Sequence, residues 1–253
     1  MTGVEVFGKV AIDVALERTL TELARVKWRF LGCRLRNPYG DMRISCSALL
    51  RIEVDDSYIL IRNVHRRGTF APIGGVFKRH PESRAALDVL EFRPQAVSPE
   101  MVGDLRGFVP RLKTGAFDAW FQSGVDRETA AECLRRELTE ELHEIGLASV
   151  GVPAGVRFRG VRVVSEGPDP VEGHPFTQFR QFAVYELSPH DSSAHSFVRD
   201  LMDRGKDHDG LLVASAKEIL LGRSSDGRHI AHHAAYLFQT RRVMRDEPMF
   251  AGA

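Results

Sequence analysis

The fold is decided by the stretch Glu128-Thr129-Ala130-Ala131-Glu132-Cys133-Leu134-Arg135-Arg136-Glu137-Leu138-Thr139-Glu140-Glu141-Leu142. Thr129 and Glu132 have the spacing of a capping box, in which each side chain accepts a hydrogen bond from the backbone amide of the other residue. A helix is therefore predicted from about Thr129 to Leu142. Its apolar residues recur at i, i+3 and i+4 and should form one face that packs on the core: Ala131, Leu134, Leu138 and Leu142.

Three glutamates lie beside this apolar face. Glu137, Glu140 and Glu141 also follow i, i+3 and i+4 spacing, so they are neighbours on the helix surface. Each close pair costs on the order of 0.2–0.5 kcal/mol on an exposed helix, which a solvated charged surface can tolerate. Carboxylates on a rigid helix are also the hard oxygen ligands that Mg²⁺ prefers, and Arg136 can orient one of them. The triplet alone leaves both interpretations open.

The spacing of the charged residues resembles the Nudix signature G-x5-E-x7-R-E-U-x-E-E-x-G-U, where U is a bulky aliphatic residue. Glu128 and the run Arg136 to Glu141 match the central part of that signature. Gln122 and His143 stand where the signature has its first and last glycine. Upstream, Pro72-Ile73-Gly74-Gly75 resembles the strand end that precedes the helix in Nudix domains.

This resemblance implies an α/β fold, the Nudix-type α/β/α sandwich with a mixed central sheet. It implies Mg²⁺ or Mn²⁺ as the cofactor, held by Glu137, Glu140 and Glu141. Arg136 joins these three as a catalytic residue, and Glu128 is a structural residue of the signature. The expected contacts to substrate come from Gly74, Gly75, Arg62, Lys78 and Arg106.

The implied activity is hydrolysis of a phosphoanhydride in a nucleoside diphosphate linked to another group. In such a reaction a bound cation bridges phosphate oxygens and lowers the pKa of a water, while a carboxylate accepts the proton. A sensor that binds a nucleotide without turning it over is the main alternative, and a scaffold with a vestigial helix is a second. The partner expected in the first two cases is a nucleotide-type small molecule.

A narrower resemblance rests on several segments together. Four segments are similar to the SMODS-associated Nudix group of bacterial conflict systems: Phe70 to Lys78, Asp104-Leu105-Arg106, Phe117 to Phe121 and Arg127-Glu128. Members of that group are linked by gene neighbourhood to enzymes that make nucleotide second messengers. The resemblance implies a role in nucleotide-signalling anti-phage defence.

The predicted organisation is an N-terminal helical extension at residues 1–40 followed by a Nudix domain at 41–245. From Val6 to Trp28 apolar residues recur at helical spacing, which predicts a helix packed on the domain or on a second copy, so a homodimer is one expected assembly. Residues 80–124 separate the Gly-Gly pair from the helix and are interpreted as an insertion that borders the cleft. Other predicted elements are a hairpin of Arg43–Val54 with Tyr58–Val64, strands at Val156–Val164 and Phe179–Leu187 around a loop at Gly167–Pro175, and a closing helix at Ile230–Phe238.

The composition excludes some classes of function. The 253 residues include 35 Lys plus Arg and 34 Asp plus Glu, so net charge favours no extended nucleic-acid surface. No apolar run approaches the roughly 18 residues of a membrane span, and three widely spaced cysteines indicate a reducing cytoplasm. Near the C-terminus, His229, His232 and His233 lack zinc-ligand spacing and are interpreted as surface histidines.

Overall fold

A computed structural model describes residues 39–240, except for His65, Arg67, Ala96 and Lys206. The predicted helix from Val6 to Trp28, Cys33 and the end of the predicted domain after residue 240 lie outside the described residues. Within the described part of the chain, no helix is long and apolar enough to span a membrane.

The described residues form eleven strands and five α-helices, with short 3₁₀ helices between some of them. The strands are β1 (Asp41–Arg51), β2 (Glu53–Val54), β3 (Ser57–Arg62), β4 (Thr69–Ala71), β5 (Ile73–Val76), β6 (Arg93–Pro94), β7 (Arg106–Pro110), β8 (Phe158–Pro170), β9 (Thr177–Leu187), β10 (Leu211–Ser215) and β11 (His229–Ile230). The helices are α1 (Arg84–Val89), α2 (Thr114–Ser123), α3 (Ala130–Glu144), α4 (Ser192–Gly205) and α5 (Ala216–Leu221).

The larger sheet is built around β1, in the order β6-β7-β1-β9-β8. Along one edge, β1 pairs with β9 in parallel orientation. Along its other edge, it pairs with two antiparallel strands, β5 and β7. There β7 pairs with residues 41–45 and β5 pairs with residues 47–50. Between the two partners, Cys46 donates its N–H to Leu105 O and accepts a bond from the N–H of Phe77. We call this place, where β5 ends and β7 begins, the strand gap.

The smaller sheet has the order β10-β3-β4-β11, and β2 pairs with β3. The α/β class with mixed sheets is thus confirmed, with the strands divided between two sheets. The predicted long hairpin is wrong except at its tip, where Asp55 and Asp56 have the positive φ angles of a tight turn. Only β2 pairs with β3, while β1 lies in the larger sheet. Because both faces of β1 are buried, it is a central strand that needs partners on both edges.

Two apolar clusters hold the layers together. In the first, Leu134, Leu138 and Leu142 of α3 pack against the face of the larger sheet that carries Ile44 and Cys46. The predicted apolar face of the helix is therefore correct for the three leucines, although Ala131 is only half buried. The second cluster joins the opposite face of the larger sheet to the smaller sheet and the C-terminal elements.

The segment interpreted as an insertion, residues 80–124, is built into the sheet and the core. It supplies β6 and β7, and Leu105, Phe117 and Phe121 are at most 5% exposed. Those two phenylalanines therefore pack in the core.

Two C-terminal predictions are corrected. The predicted closing helix at Ile230–Phe238 is present only in part, as a 3₁₀ helix at His232–Leu237, because Ile230 belongs to β11. The reason is tertiary, because Ile230 pairs with Phe70 and so fixes extended backbone. The predicted strands at 156–164 and 179–187 are confirmed as β8 and β9, but β8 continues to Pro170 into the segment expected to be a loop.

Candidate active site on α3

The N-terminus of α3 is fixed by its own side chains. Thr129 Oγ1 accepts from the N–H of Glu132 at 3.3 Å, and the N–H of Thr129 donates to Glu132 Oε2 at 2.7 Å. The predicted capping box is therefore confirmed. Because the first turn is fixed in this way, the helix begins independently of its tertiary contacts and carries its carboxylates along one side.

Arg136 lies at the centre of the charged cluster. Its Nε donates to Glu128 Oε1 at 2.8 Å, and its Nη1 donates to Glu137 Oε1 at 2.6 Å and to Glu140 Oε2 at 3.2 Å. Its Nη2 donates to the carbonyl of Val76 at 3.0 Å. Burial opposes the charged form, but the bonds and charges of Glu128 and Glu137 outweigh it and raise the pKa of Arg136. The guanidinium therefore stays charged and holds Glu128, Glu137 and Glu140 in one cluster.

Glu128 joins the helix entrance to the end of the Gly-Gly strand. Its Oε2 accepts from the N–H of Lys78 at 2.8 Å, and its own N–H donates to Lys78 O at 2.9 Å. With the ion pair to Arg136, these bonds account for a structural residue at this position.

The glycine pair lets the carboxylates of α3 approach the backbone of β5. A Cβ on Gly75 would lie 1.9 Å from Glu137 Oε1, and the N–H of Gly74 donates to Glu141 Oε2 at 3.2 Å. Gly74 has a φ of 145°, and a Cβ there would lie 2.2 Å from the carbonyl oxygen of Ala48. The two glycines therefore have different roles: Gly74 permits strand pairing, and Gly75 makes room for Glu137.

Burial and neighbouring negative charges make the ionised forms of Glu137 and Glu141 unfavourable. Burial raises the pKa of Glu137, and Glu140 raises it further, although Arg136 opposes both effects. Burial, together with the charge of Glu137, raises the pKa of Glu141 well above its usual value. A cation placed among these groups would offset the desolvation and the repulsion.

The oxygen donors fit a hard divalent cation in chemistry, but they do not converge on one point. Within residues 39–240 as described, no group of three or more His, Cys, Asp or Glu side chains is arranged to hold a metal ion. Glu140 is 51% exposed and is drawn to Arg136, whereas Glu141 lies against Gly74. Holding one cation with all three glutamates would require Glu140 to leave Arg136 and turn toward Glu137 and Glu141.

Residues 41–238 match the family model described as the SMODS-associated NUDIX domain. The chain belongs to this family. No curated protein matches the chain. Among solved structures, the solution structure of the E. coli ORF135 protein is similar, with 14% identity over 79% of this chain and 87% of that chain and a TM-score of 0.30. The family assignment rests on the family model alone, which covers β1 through the last 3₁₀ helix.

Of the basic residues expected to contact substrate, Lys78 lies beside the Nudix helix and the other two do not. Lys78 is bound through its backbone to Glu128, and its Nζ donates to Glu100 O at 3.1 Å. Arg106 begins β7 at the strand gap. Arg62 lies in the smaller sheet, where it pairs with Asp209 at 2.6 Å and is held to the loop before β10.

Asp104 is a candidate site residue that sequence reasoning did not single out by role. It lies at the strand gap, 6% exposed, with Oδ2 3.6 Å from Arg106 Nη2. Burial raises its pKa to about 6, against the opposing charges of Arg106, Lys78 and Arg136. The signal in the sequence was the run Asp104-Leu105-Arg106, in which two charged residues flank a buried leucine directly before β7.

Proposed function

We propose that this Nudix domain is a divalent-cation-dependent hydrolase that cleaves a phosphoanhydride in a nucleoside diphosphate linked to another group. The observation that carries the proposal is the arrangement of Arg136 with Glu128, Glu137 and Glu140, backed by a Gly-Gly strand end on which Glu141 rests. The raised pKa values of Glu137 and Glu141 support a cation as their missing counter-charge.

In this proposal Glu137, Glu140 and Glu141 would hold the cation. A bound Mg²⁺ or Mn²⁺ would neutralise phosphate oxygens and make a water more acidic. Arg136 would keep Glu137 oriented through its planar guanidinium, and Glu128 would keep Arg136 in place. Asp104, with a pKa of about 6, is suited to accept a proton near neutral pH.

The family name supports placing this activity beside enzymes that make nucleotide second messengers. In that setting the domain would act on a nucleotide signal or its product, as part of an anti-phage defence system.

A nucleotide sensor is the second candidate, and one observation favours it. Arg136 Nη1 already bridges Glu137 and Glu140, and the three expected ligands do not converge. Breaking the hydrogen bonds from Arg136 to Glu137 and Glu140 costs free energy. A domain that binds its ligand without hydrolysing it would not need to break them.

The test is a panel of nucleoside diphosphate derivatives incubated with the protein and Mg²⁺, with thermal shift and product release measured on the same samples. A hydrolase is expected to release product from at least one compound, and Glu137→Gln is expected to abolish release. Asp200→Asn is the matched control, because it removes one exposed carboxylate on α4 without touching α3.

Two outcomes contradict the hydrolase. A thermal shift without release from any compound favours the sensor. Release that survives Glu137→Gln as well as Asp200→Asn would mean that the carboxylates of α3 have no part in the chemistry.

A further inference from the structure

Residues 124–128, which we call the entry loop, connect α2 to the first turn of α3 and end on Glu128. The loop is paired with residues 78–80, the chain that follows β5. One antiparallel bridge and two backbone hydrogen bonds make this pairing: Arg79 with Arg127, the N–H of His80 to Asp126 O at 2.9 Å and the N–H of Glu128 to Lys78 O at 2.9 Å. The backbone of the entry loop is therefore held along one side.

The half-buried side chain of Arg127 joins the entry loop to α2. Its Nε donates to the carbonyl of Phe121 at 2.7 Å, in the last turn of α2, and its Nη1 donates to the carbonyl of Glu128 at 2.7 Å. The guanidinium carbon lies 4.1 Å from the centre of the Phe121 ring and 5.1 Å from that of Phe77. These two buried rings meet edge to face, with centroids 5.4 Å apart. A planar guanidinium can stack on a ring and donate to two carbonyls at once, which an ammonium group in its place cannot do.

The bond from Arg127 completes the anchoring of Glu128. The N–H of Glu128 is bound to Lys78 and its carbonyl to Arg127, while its carboxylate accepts from the N–H of Lys78 and from Arg136. A carboxylate bridges two fixed donors only when its own backbone is held between them. Arg127 therefore acts on Arg136 through Glu128, and Arg136 in turn holds the neighbouring glutamates of α3.

The helix itself does not depend on Arg127. The capping box of Thr129 and Glu132 fixes the first turn of α3 locally, directly after the entry loop. Removing the Arg127 side chain is therefore expected to leave α3 formed while it frees the carbonyl of Glu128. The effect should fall on the placement of the Glu128 carboxylate and of the guanidinium that it binds.

We propose that Arg127 is a positioning residue of the cation site, which holds Glu128 so that Arg136 and the glutamates of α3 are placed for a divalent cation. The inference rests on the cation site of the proposed function, but it requires no turnover. It also gives the segment at residues 80–124 a role in cation affinity, because α2 supplies the ring and the carbonyl that Arg127 contacts.

The experiment is a double-mutant cycle on Mn²⁺ affinity, measured by isothermal titration at a temperature at which circular dichroism shows each variant to be folded. Arg127→Met and Glu128→Gln are each expected to weaken Mn²⁺ binding at least about tenfold, as is usual for residues that orient metal ligands. Because Arg127 acts through Glu128, the double variant should bind Mn²⁺ no more weakly than Glu128→Gln alone. A residue that only stabilised the fold would give no loss, or a loss that multiplies with that of Glu128→Gln.

The matched control is Arg228→Met. The guanidinium of Arg228 also lies over a ring, that of Phe70 at 5.1 Å, and donates to a carbonyl, that of Leu211 at 3.2 Å, but both partners belong to the smaller sheet. This variant is expected to lose stability and to keep the wild-type affinity for Mn²⁺. It separates the loss of a stacked arginine from an effect on the cation site.

Arg127→Lys covers the case in which Arg127→Met does not fold. It keeps the positive charge, but one ammonium group in this place cannot serve both carbonyls and the ring. Its affinity for Mn²⁺ is expected to lie below that of the wild type.

Hydrogen exchange followed by mass spectrometry tests the wild type without any variant. Coupling between two sites is reciprocal, so an entry loop that raises the affinity for a cation is itself stabilised when the cation binds. Saturating Mn²⁺ is expected to slow exchange in peptides that cover residues 124–128. Peptides that cover residues 224–228, around the control arginine, should exchange as they do without Mn²⁺.

The proposal is overturned if the wild type binds no Mn²⁺, if Arg127→Met or Arg127→Lys binds Mn²⁺ as the wild type does, or if the losses multiply in the double variant. Unchanged exchange in the entry loop on adding Mn²⁺ would overturn it as well. Failure of the proposed function looks different. A protein whose Mn²⁺ affinity depends on Arg127 but which releases no product contradicts the hydrolase alone, whereas a hydrolase whose Mn²⁺ affinity is independent of Arg127 contradicts this inference alone.

Discussion

At the scale of single residues, the three expected metal ligands differ in how firmly the surrounding structure holds their carboxylates. Glu140 is exposed and held by Arg136, whereas Glu137 and Glu141 lie against the Gly-Gly backbone. Glu140→Gln is therefore expected to weaken Mg²⁺ or Mn²⁺ binding while leaving the fold intact, because it removes a charged ligand that contributes nothing to the core. Isothermal titration with each cation measures this, with Asp200→Asn as control. Unchanged affinity in Glu140→Gln would remove Glu140 from the ligand set.

The two glycines provide a matched pair of substitutions. Gly75→Ala is expected to weaken cation binding at a modest cost in stability, because the atoms nearest to its Cβ belong to the carboxylate of Glu137, the flexible end of a side chain. Gly74→Ala is expected to cost stability instead, because its Cβ would strike the carbonyl of Ala48 and its φ of 145° disfavours any side chain. Denaturant melts and cation titrations on both variants separate the two effects. Equal effects of both variants on stability would contradict the assigned roles.

The pH dependence of stability tests the burial of Asp104. Its pKa of about 6 lies above the ordinary aspartate value of about 3.9, so the fold favours the protonated form. The stability that this group contributes is then fully present below about pH 4 and is lost as the pH rises through about 6. At pH 8 the free energy of unfolding of Asp104→Asn should exceed that of the wild type by up to about 3 kcal/mol. At pH 4 the two free energies should be equal.

The control for this measurement is Asp88→Asn, which alters an aspartate of α1 whose side chain is 73% exposed. It is expected to follow the wild type at both pH values. A difference between Asp104→Asn and the wild type that is the same at pH 4 and pH 8 would mean that Asp104 has no raised pKa.

At the scale of elements, α3 was the part most open to prediction from sequence. Its capping box and its apolar spacing are local signals, so they fixed where it begins and which face is buried without knowledge of the sheets. The segment around Ile230 could not be predicted from local signals. Its apolar spacing suggested a helix, but pairing with β4 holds Ile230 in extended backbone. The strand gap was likewise beyond reach, since nothing local indicates that β5 and β7 share one edge of β1.

The orientation of α3 has its own test. Leu138 is completely buried between the helix and the sheet, so Leu138→Ala is expected to destabilise the protein by about 2–5 kcal/mol. Urea melts followed by circular dichroism measure the loss, and Thr139→Ala, an exposed neighbour, serves as control. A loss below about 1 kcal/mol at Leu138 would contradict this packing and would require the carboxylate side to be reassigned.

At the scale of the whole molecule, the sequence predicted the site residues on α3 but not the residues that surround this helix. The signature located Glu128, Arg136 and the three glutamates, because their spacing is a property of one helix. Asp104 is 26 positions after Lys78 by number, and only an antiparallel bridge between the two residues brings it beside the backbone that Glu128 binds. Sequence separation of this kind carries no local signal.

The segment at residues 80–124 is expected to be indispensable for folding. It supplies β6, β7 and core side chains such as Leu105 and Phe117, so replacing it with a short Gly/Ser linker should abolish the cooperative unfolding transition. Replacing residues 171–175, at the tip of the β8–β9 hairpin, is the control and should preserve that transition. A cooperative melt after loss of 80–124 would show that the segment is an appendage.

The pairing of β1 with β9 also has a consequence for the order of events during folding. Met42 pairs with Thr177 and Arg51 with Glu186, so the central strand gains its second neighbour only from a distant part of the chain. Contacts at such separation close large loops and slow the search for the native state. During synthesis, the buried edge of β1 must wait until β9 has left the ribosome, and in that interval its apolar residues are available to chaperones or to other nascent chains.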